Sequence, residues 1–268
     1  MSVGKQRQFA VAAVFIVLGA LIVARPGLGE SAGPRIGTAA VEERTPDDLR
    51  LERIDYDGQA ELLGSYAVAD AALLGDVERD HGAIWALVRN IVPESIIDER
   101  LTQFNVTTDG PESTLAMVHR SGLYPTRWIL SIDRADTDDV TVLRETIVHE
   151  LAHVLTLNRG DVDFGADPAE CDELALTVGC VRAESTMGRF AMQFWDGVVE
   201  PPVFDTTGFV TDYAASSAHE DLAETFMAWV LDLPVTNDPD IAEKYRFLEA
   251  QSELVDARDQ IRAHLASA

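Results

Sequence analysis

VTVLRETIVHELAHVLTLN, residues 140–158, decides the architecture. The segment is apolar on more than one helical face, so the helix predicted from Asp138 to Asn158 belongs deep inside a folded domain. Arg159 and Gly160 stop it. Within this apolar surround stand three residues that resist burial: His149, Glu150 and His153. Residues four apart lie on one helical face, one turn above the other, so both imidazoles can reach a single ion. Glu150 stands about 100° round the helix. It cannot easily bind the same ion, but it can touch a water beside it. Two nitrogen ligands and a free carboxylate are what a metal-activated water and its general base require.

A catalytic zinc also needs a third protein ligand and one open position. One completion continues the helix as H-x-x-G-x-x-H, but Thr156 and Arg159 occupy those places. Further along, YAASSAHEDLAETF spans residues 213–226. Ser216 or Ser217 can cap a helix over Ala218 to Leu231, and Glu220 and Glu224 share one face of it. The economical reading makes Glu220 the third ligand and lets Glu224 hydrogen-bond a ligand histidine. His219 and Asp221 are rival ligands from the same stretch.

Working outward, RDHGAIWALVRNIV at 79–92 spaces Ile84, Trp85, Leu87, Val88 and Ile91 as a helical stripe, ended by Pro93. Strand-like segments follow at Leu101–Thr108, Leu115–His119 and Trp128–Ile132, with turn signals at Asp109-Gly110 and Ser121-Gly122. They predict a small antiparallel sheet, with Trp128–Ile132 as the edge that pairs with an extended substrate. Residues 160–184 read as a loop. Helices are expected over Ser185–Trp195 and, as one element, Ile241–Leu265. A small sheet followed by helices is an α+β plan.

The chain has 268 residues, of which 47% are apolar, enough to build a core, and residues 41–268 read as one domain. A net charge of −25 excludes nucleic acid as a partner, because phosphates would be repelled. The same acidity either favours basic substrates or is a solvated surface, and the second is the expectation. Lys5 and Arg7 precede an apolar run from Phe9 to Ala24, closed by Arg25. Residues 1–25 therefore read as a signal peptide or an uncleaved membrane anchor, and residues 26–40 as a flexible linker. Either reading puts the domain outside the cytoplasm, with membrane contact only through residues 9–24. In that setting Cys171 and Cys180 are expected to form a disulfide, contributing about 2–3 kcal/mol through the short loop it closes.

The pieces TLAMVH, IVHELAHVLTLN, CDELALTVGC, MQFW, FVTDYA and HEDLAETF lie between Leu101 and Trp229. Together they resemble the gluzincin class of zinc peptidases, in which a distant glutamate completes H-E-x-x-H. They are most similar to exported bacterial and fungal zinc metallopeptidases related in motif to the anthrax lethal factor catalytic domain. The resemblance implies a zincin-like metallopeptidase fold and one Zn²⁺ per chain on His149, His153 and Glu220. It also implies Glu150 as the catalytic base, Tyr213 as the oxyanion donor, and a peptide or protein substrate. Two other readings stand beside it: an envelope protein with a structural zinc, and a zinc hydrolase of a non-peptide amide.

Overall fold

The computed structural model describes residues 50–56, 58, 60–110, 114–171, 174–176, 179–195, 207–235 and 237–267. The apolar run at 9–24, the linker and the start of the expected domain lie outside these residues. After a segment without regular structure at 50–56 come β1 (Glu61–Ala69), β2 (Ala72–Leu73), α1 (Arg79–Ile91) and α2 (Glu94–Arg100). Then follow β3 (Leu101–Thr108), β4 (Ala116–Arg120), β5 (Trp128–Asp133) and the central helix α3 (Val140–Thr156). Three short strands, β6 (Val162–Asp163), β7 (Ala175–Leu176) and β8 (Gly179–Val181), precede four helices. These are α4 (Thr186–Phe194), α5 (Ala218–Leu231), α6 (Pro239–Glu249) and α7 (Ser252–Ser267). The α+β plan holds.

The main sheet is mixed rather than antiparallel, with strand order β2-β1-β3-β5-β4. β3 and β5 run parallel, while β4 pairs antiparallel with β5. The turn after β4 fixes the hairpin but not which of its strands meets β3. β5, buried at all six positions, lies between β3 and β4. The expectation that Trp128–Ile132 forms the edge is therefore overturned: β4 is the edge strand.

Strand alternation divides the sheet into two faces. Tyr66, Val68, Phe104, Val106, Val118, Leu130 and Ile132 join the helical core. Ser65, Gln103, Asn105 and Ser131 face the other way, beneath the segment at 50–56. Here Tyr56 Oη accepts from Asn105 Nδ2 at 2.8 Å and lies 3.0 Å from Ser131 Oγ. Gln103 Nε2 donates to the Glu52 carbonyl at 2.9 Å, and Gln103 Oε1 accepts from the Glu52 N–H at 2.7 Å.

Local signals place most helices. Asp139 caps α3 by accepting from the N–H groups of Thr141 and Val142, and Ser185 and Ser217 cap α4 and α5. Pro93 ends α1 as expected but also opens α2, which the periodicity does not reveal. The single helix expected over Ile241–Leu265 is two, α6 and α7. No proline or glycine breaks it; packing does. α6 meets α4 and α5 through Phe247 on Phe190 and Lys244 on Asp221, whereas α7 crosses to α1 and α5.

The expected loop at 160–184 contains a three-stranded sheet of order β6-β8-β7. The Cys171–Cys180 disulfide forms there, with Cα atoms 5.2 Å apart. Gly179 is required by the close approach of β8 to β6, because a Cβ would stand 2.1 Å from the Asp163 carbonyl oxygen.

Candidate metal centre

α3 and α5 pack against each other inside the core, and each brings its polar residues to the shared face. His149, Glu150, His153 and Glu220 are all no more than 4% exposed. Nε2 of His149 lies 3.1 Å from Nε2 of His153, and Oε2 of Glu220 lies 3.0 Å from the first and 3.3 Å from the second. These three Lewis-base atoms form a nearly equilateral triangle. Around a tetrahedral zinc with bonds near 2.05 Å, ligand atoms stand about 3.3 Å apart. The donor set and its spacing therefore fit a divalent metal, and zinc in particular.

The surroundings reinforce that fit. Glu224 accepts from Nδ1 of His149 at 2.6 Å, which leaves the Nε2 lone pair of His149 facing the triangle. Thr211 Oγ1 donates to the other oxygen of Glu224 at 2.6 Å and itself accepts from the Ala214 N–H at 3.0 Å. The sequence gives no local sign of Thr211, because its role depends on how the chain before α5 folds back over the helix pair.

Both oxygens of Glu150 are buried and have no hydrogen-bond partner among the described residues. The Val118 N–H of β4 faces this carboxylate without closing a formed bond. Burial pushes the Glu150 carboxyl up to about 8; His149 pulls against this, and the Glu220 and Glu224 carboxylates add to it. Burial opposes charge on His149 as well, but Glu220 and Glu224 outweigh it and raise the imidazole to about 10. Burial draws His153 down to about 4. Glu220 stays ionised, since the imidazoles around it outweigh the cost of its burial. The negative field that favours charge on His149 also favours a cation within the triangle.

Tyr213 stands beside this group, its ring centroid 5.8 Å from that of His149 and its hydroxyl facing Glu220. Burial and the Glu220 charge push that hydroxyl well above the usual phenol range. The rival ligands fall out on geometry. Asp221 turns away to Lys244, at 2.7 Å, and to Trp195 Nε1, at 2.9 Å. His219 sits at the rim, with Nδ1 3.0 Å from Ser217 Oγ and Nε2 3.4 Å from Oε1 of Glu220, outside the triangle.

A second carboxylate group, Asp109, Asp133 and Asp136, was not foreseen. Asp133 accepts from the N–H groups of Asp109 and Ala135, both at 2.6 Å, so its chemistry is that of a turn lock. Compared with family models, curated proteins and solved structures, the chain matches none.

Proposed function

We propose that this chain is a zinc-dependent peptidase of zincin architecture and gluzincin type, holding one zinc on His149, His153 and Glu220. The observation that carries the reading is the triangle of three buried Lewis-base atoms beside the partnerless carboxylate of Glu150. A structural metal site would close with four protein ligands and would have no use for a buried base next to it. A reacting water would give a buried carboxylate, without a partner among the described residues, a purpose there.

Bound in this site, zinc supplies Lewis acidity toward a scissile carbonyl and makes water more acidic. Glu150 takes the proton of the attacking water and passes it to the leaving amine. Glu224 holds His149 in the tautomer that presents Nε2. Tyr213 is the donor assigned to the oxyanion as the carbonyl becomes tetrahedral.

The edge strand supports an extended peptide as substrate. The Leu115 carbonyl bonds to Asp133 and the Ser121 N–H to Arg127, so odd residues of this segment face β5. By alternation, the backbone groups of Ala116, Val118 and Arg120 point outward along the side nearest Glu150. The reading also puts the domain outside the cytoplasm, in keeping with the disulfide. Among the described residues no helix is long and apolar enough to cross a membrane; the candidate segment read from the sequence, 9–24, lies outside them.

The test is cleavage of a diverse peptide library by the full chain loaded with zinc, with Glu150→Gln run beside it. Metal content is measured on both, and products are read by mass spectrometry. Cuts made by the native chain and absent from the variant are the expected result. One zinc per chain with no cut peptide would reject the peptidase and leave a non-peptide hydrolase or a structural metal site.

A further inference from the structure

Arg120 closes β4, two residues beyond Val118, whose N–H faces Glu150. Alternation puts both side chains on the helical face of the sheet. The Arg120 guanidinium lies over the ring of Phe164, 3.8 Å from its centroid. That stacking fixes the position of the charge and leaves the guanidinium edge free to bind. No hydrogen-bond acceptor meets it among the described residues, and its Nη1 is buried without a partner.

The charges around it do not neutralise it. Partial burial disfavours its charge most, and Arg159, just beyond the end of α3, repels it as well. Glu52 is the carboxylate whose field reaches it, but Glu52 is already engaged by Ser121 Oγ and by the Gly122 N–H at 2.7 Å. Arg159 thus adds a second positive charge within electrostatic reach of Arg120, in a chain with a net charge of −25. A planar guanidinium held on an aromatic ring, with unsatisfied donors, is matched by a carboxylate.

Resting on the peptidase reading, we infer that Arg120, aided by Arg159, forms a subsite for a carboxylate of the substrate strand laid along β4. Two residues of strand span about 7 Å, so the carboxylate belongs about two residues from the scissile bond. A substrate antiparallel to β4 places it on the N-terminal side of that bond, and a parallel one on the C-terminal side. Its source is an acidic side chain or the C-terminal carboxylate of a short peptide. The preference runs against the overall acidity of the protein, which on its own would select basic peptides.

Binding tests this separately from catalysis. The full chain carrying Glu150→Gln, loaded with zinc, is titrated by fluorescence anisotropy with matched peptides. The pairs differ by Glu against Gln at one position, or by a free against an amidated C-terminus. The expected result is about 10-fold tighter binding of the carboxylate member at one position. Arg120→Met, which keeps an apolar stem over Phe164, should abolish that difference, and Arg120→Glu should reverse it toward Lys-containing peptides. A preference only for the free C-terminus assigns the site to the chain terminus. Equal binding within every pair, an unchanged preference in Arg120→Met, or no binding of any peptide overturns the subsite. The library cleavage described above stands or falls independently of these outcomes.

Discussion

Two buried polar clusters lie on opposite faces of the same sheet, and they differ in whether their groups are satisfied. Behind the sheet, Gln103, Asn105, Ser65, Ser131 and Tyr56 bond to one another and to the Glu52 backbone. On the helical face, both oxygens of Glu150 and Nδ1 of His153 have no partner, and three ligand-type atoms crowd within 3.3 Å. Buried polar atoms are normally paired, because leaving one unpaired costs about 1–3 kcal/mol. The rear cluster therefore reads as architecture, holding the segment at 50–56 on the sheet. The front cluster carries a cost, among the described residues, that the proposed metal and its reacting water would offset.

The largest expected effect is at Glu150. Glu150→Gln should retain zinc and lose at least ~10²-fold in cleavage rate, the usual worth of general-base catalysis. Full activity in that variant would erase the distinction between the clusters. The next concerns His119, whose Nδ1 is the rear face's own unpartnered nitrogen. Burial pulls its imidazole down to about 4. The unfolded ring, near 6.5, takes up a proton first. Its contribution to stability is therefore complete above pH ~6.5 and is lost as pH falls toward ~4, a change of roughly 3 kcal/mol. Asp133, pushed up to about 6 by burial, acts in the opposite direction over much of that range, so the comparison must be made within one background. Urea melts of the native chain and His119→Phe at pH 7 and 4.5 should show the smaller acid loss in the variant. Equal losses would remove His119 as the cause.

A smaller change is expected at Glu224. Glu224→Ala frees Nδ1 of His149 and should weaken zinc binding about 10- to 100-fold in a chelator competition, with the fold intact. Unaltered affinity would mean that α3 alone orients His149. The smallest effect belongs to the rear cluster. Ser65 Oγ donates to Asn105 at 2.8 Å and accepts from Gln103 at 3.1 Å. Ser65→Ala should cost about 1 kcal/mol of stability and leave zinc affinity unchanged. A shift in zinc affinity there would show that the two faces are coupled through the sheet.

Short-range spacing made a good part of this legible in the sequence. His149 and His153 share a face because they are four apart on an apolar helix, and Glu220 and Glu224 do so on another. Ser217, one of the two serines read as a cap for α5, marks that helix start through a hydrogen bond to its own next turn. The cysteine pair needed only a short loop to close. Each of these depends on neighbours within a few residues or on helical period, which a sequence displays directly.

Long-range partners were decided by the tertiary structure alone. β5 took the interior place and β4 the edge, an order that the turn between them does not state. The break between α6 and α7 came from two helices seeking different partners, with no residue to announce it. The sequence already favoured Glu220 over His219 and Asp221; the fold adds that Glu220 meets the two histidines while Asp221 is held by Lys244 and Trp195, from segments before and after it. Thr211 behind Glu224 and the unpaired guanidinium of Arg120 were invisible for the same reason. A periodic pattern states which residues share a face, whereas what that face meets depends on contacts between segments tens of residues apart.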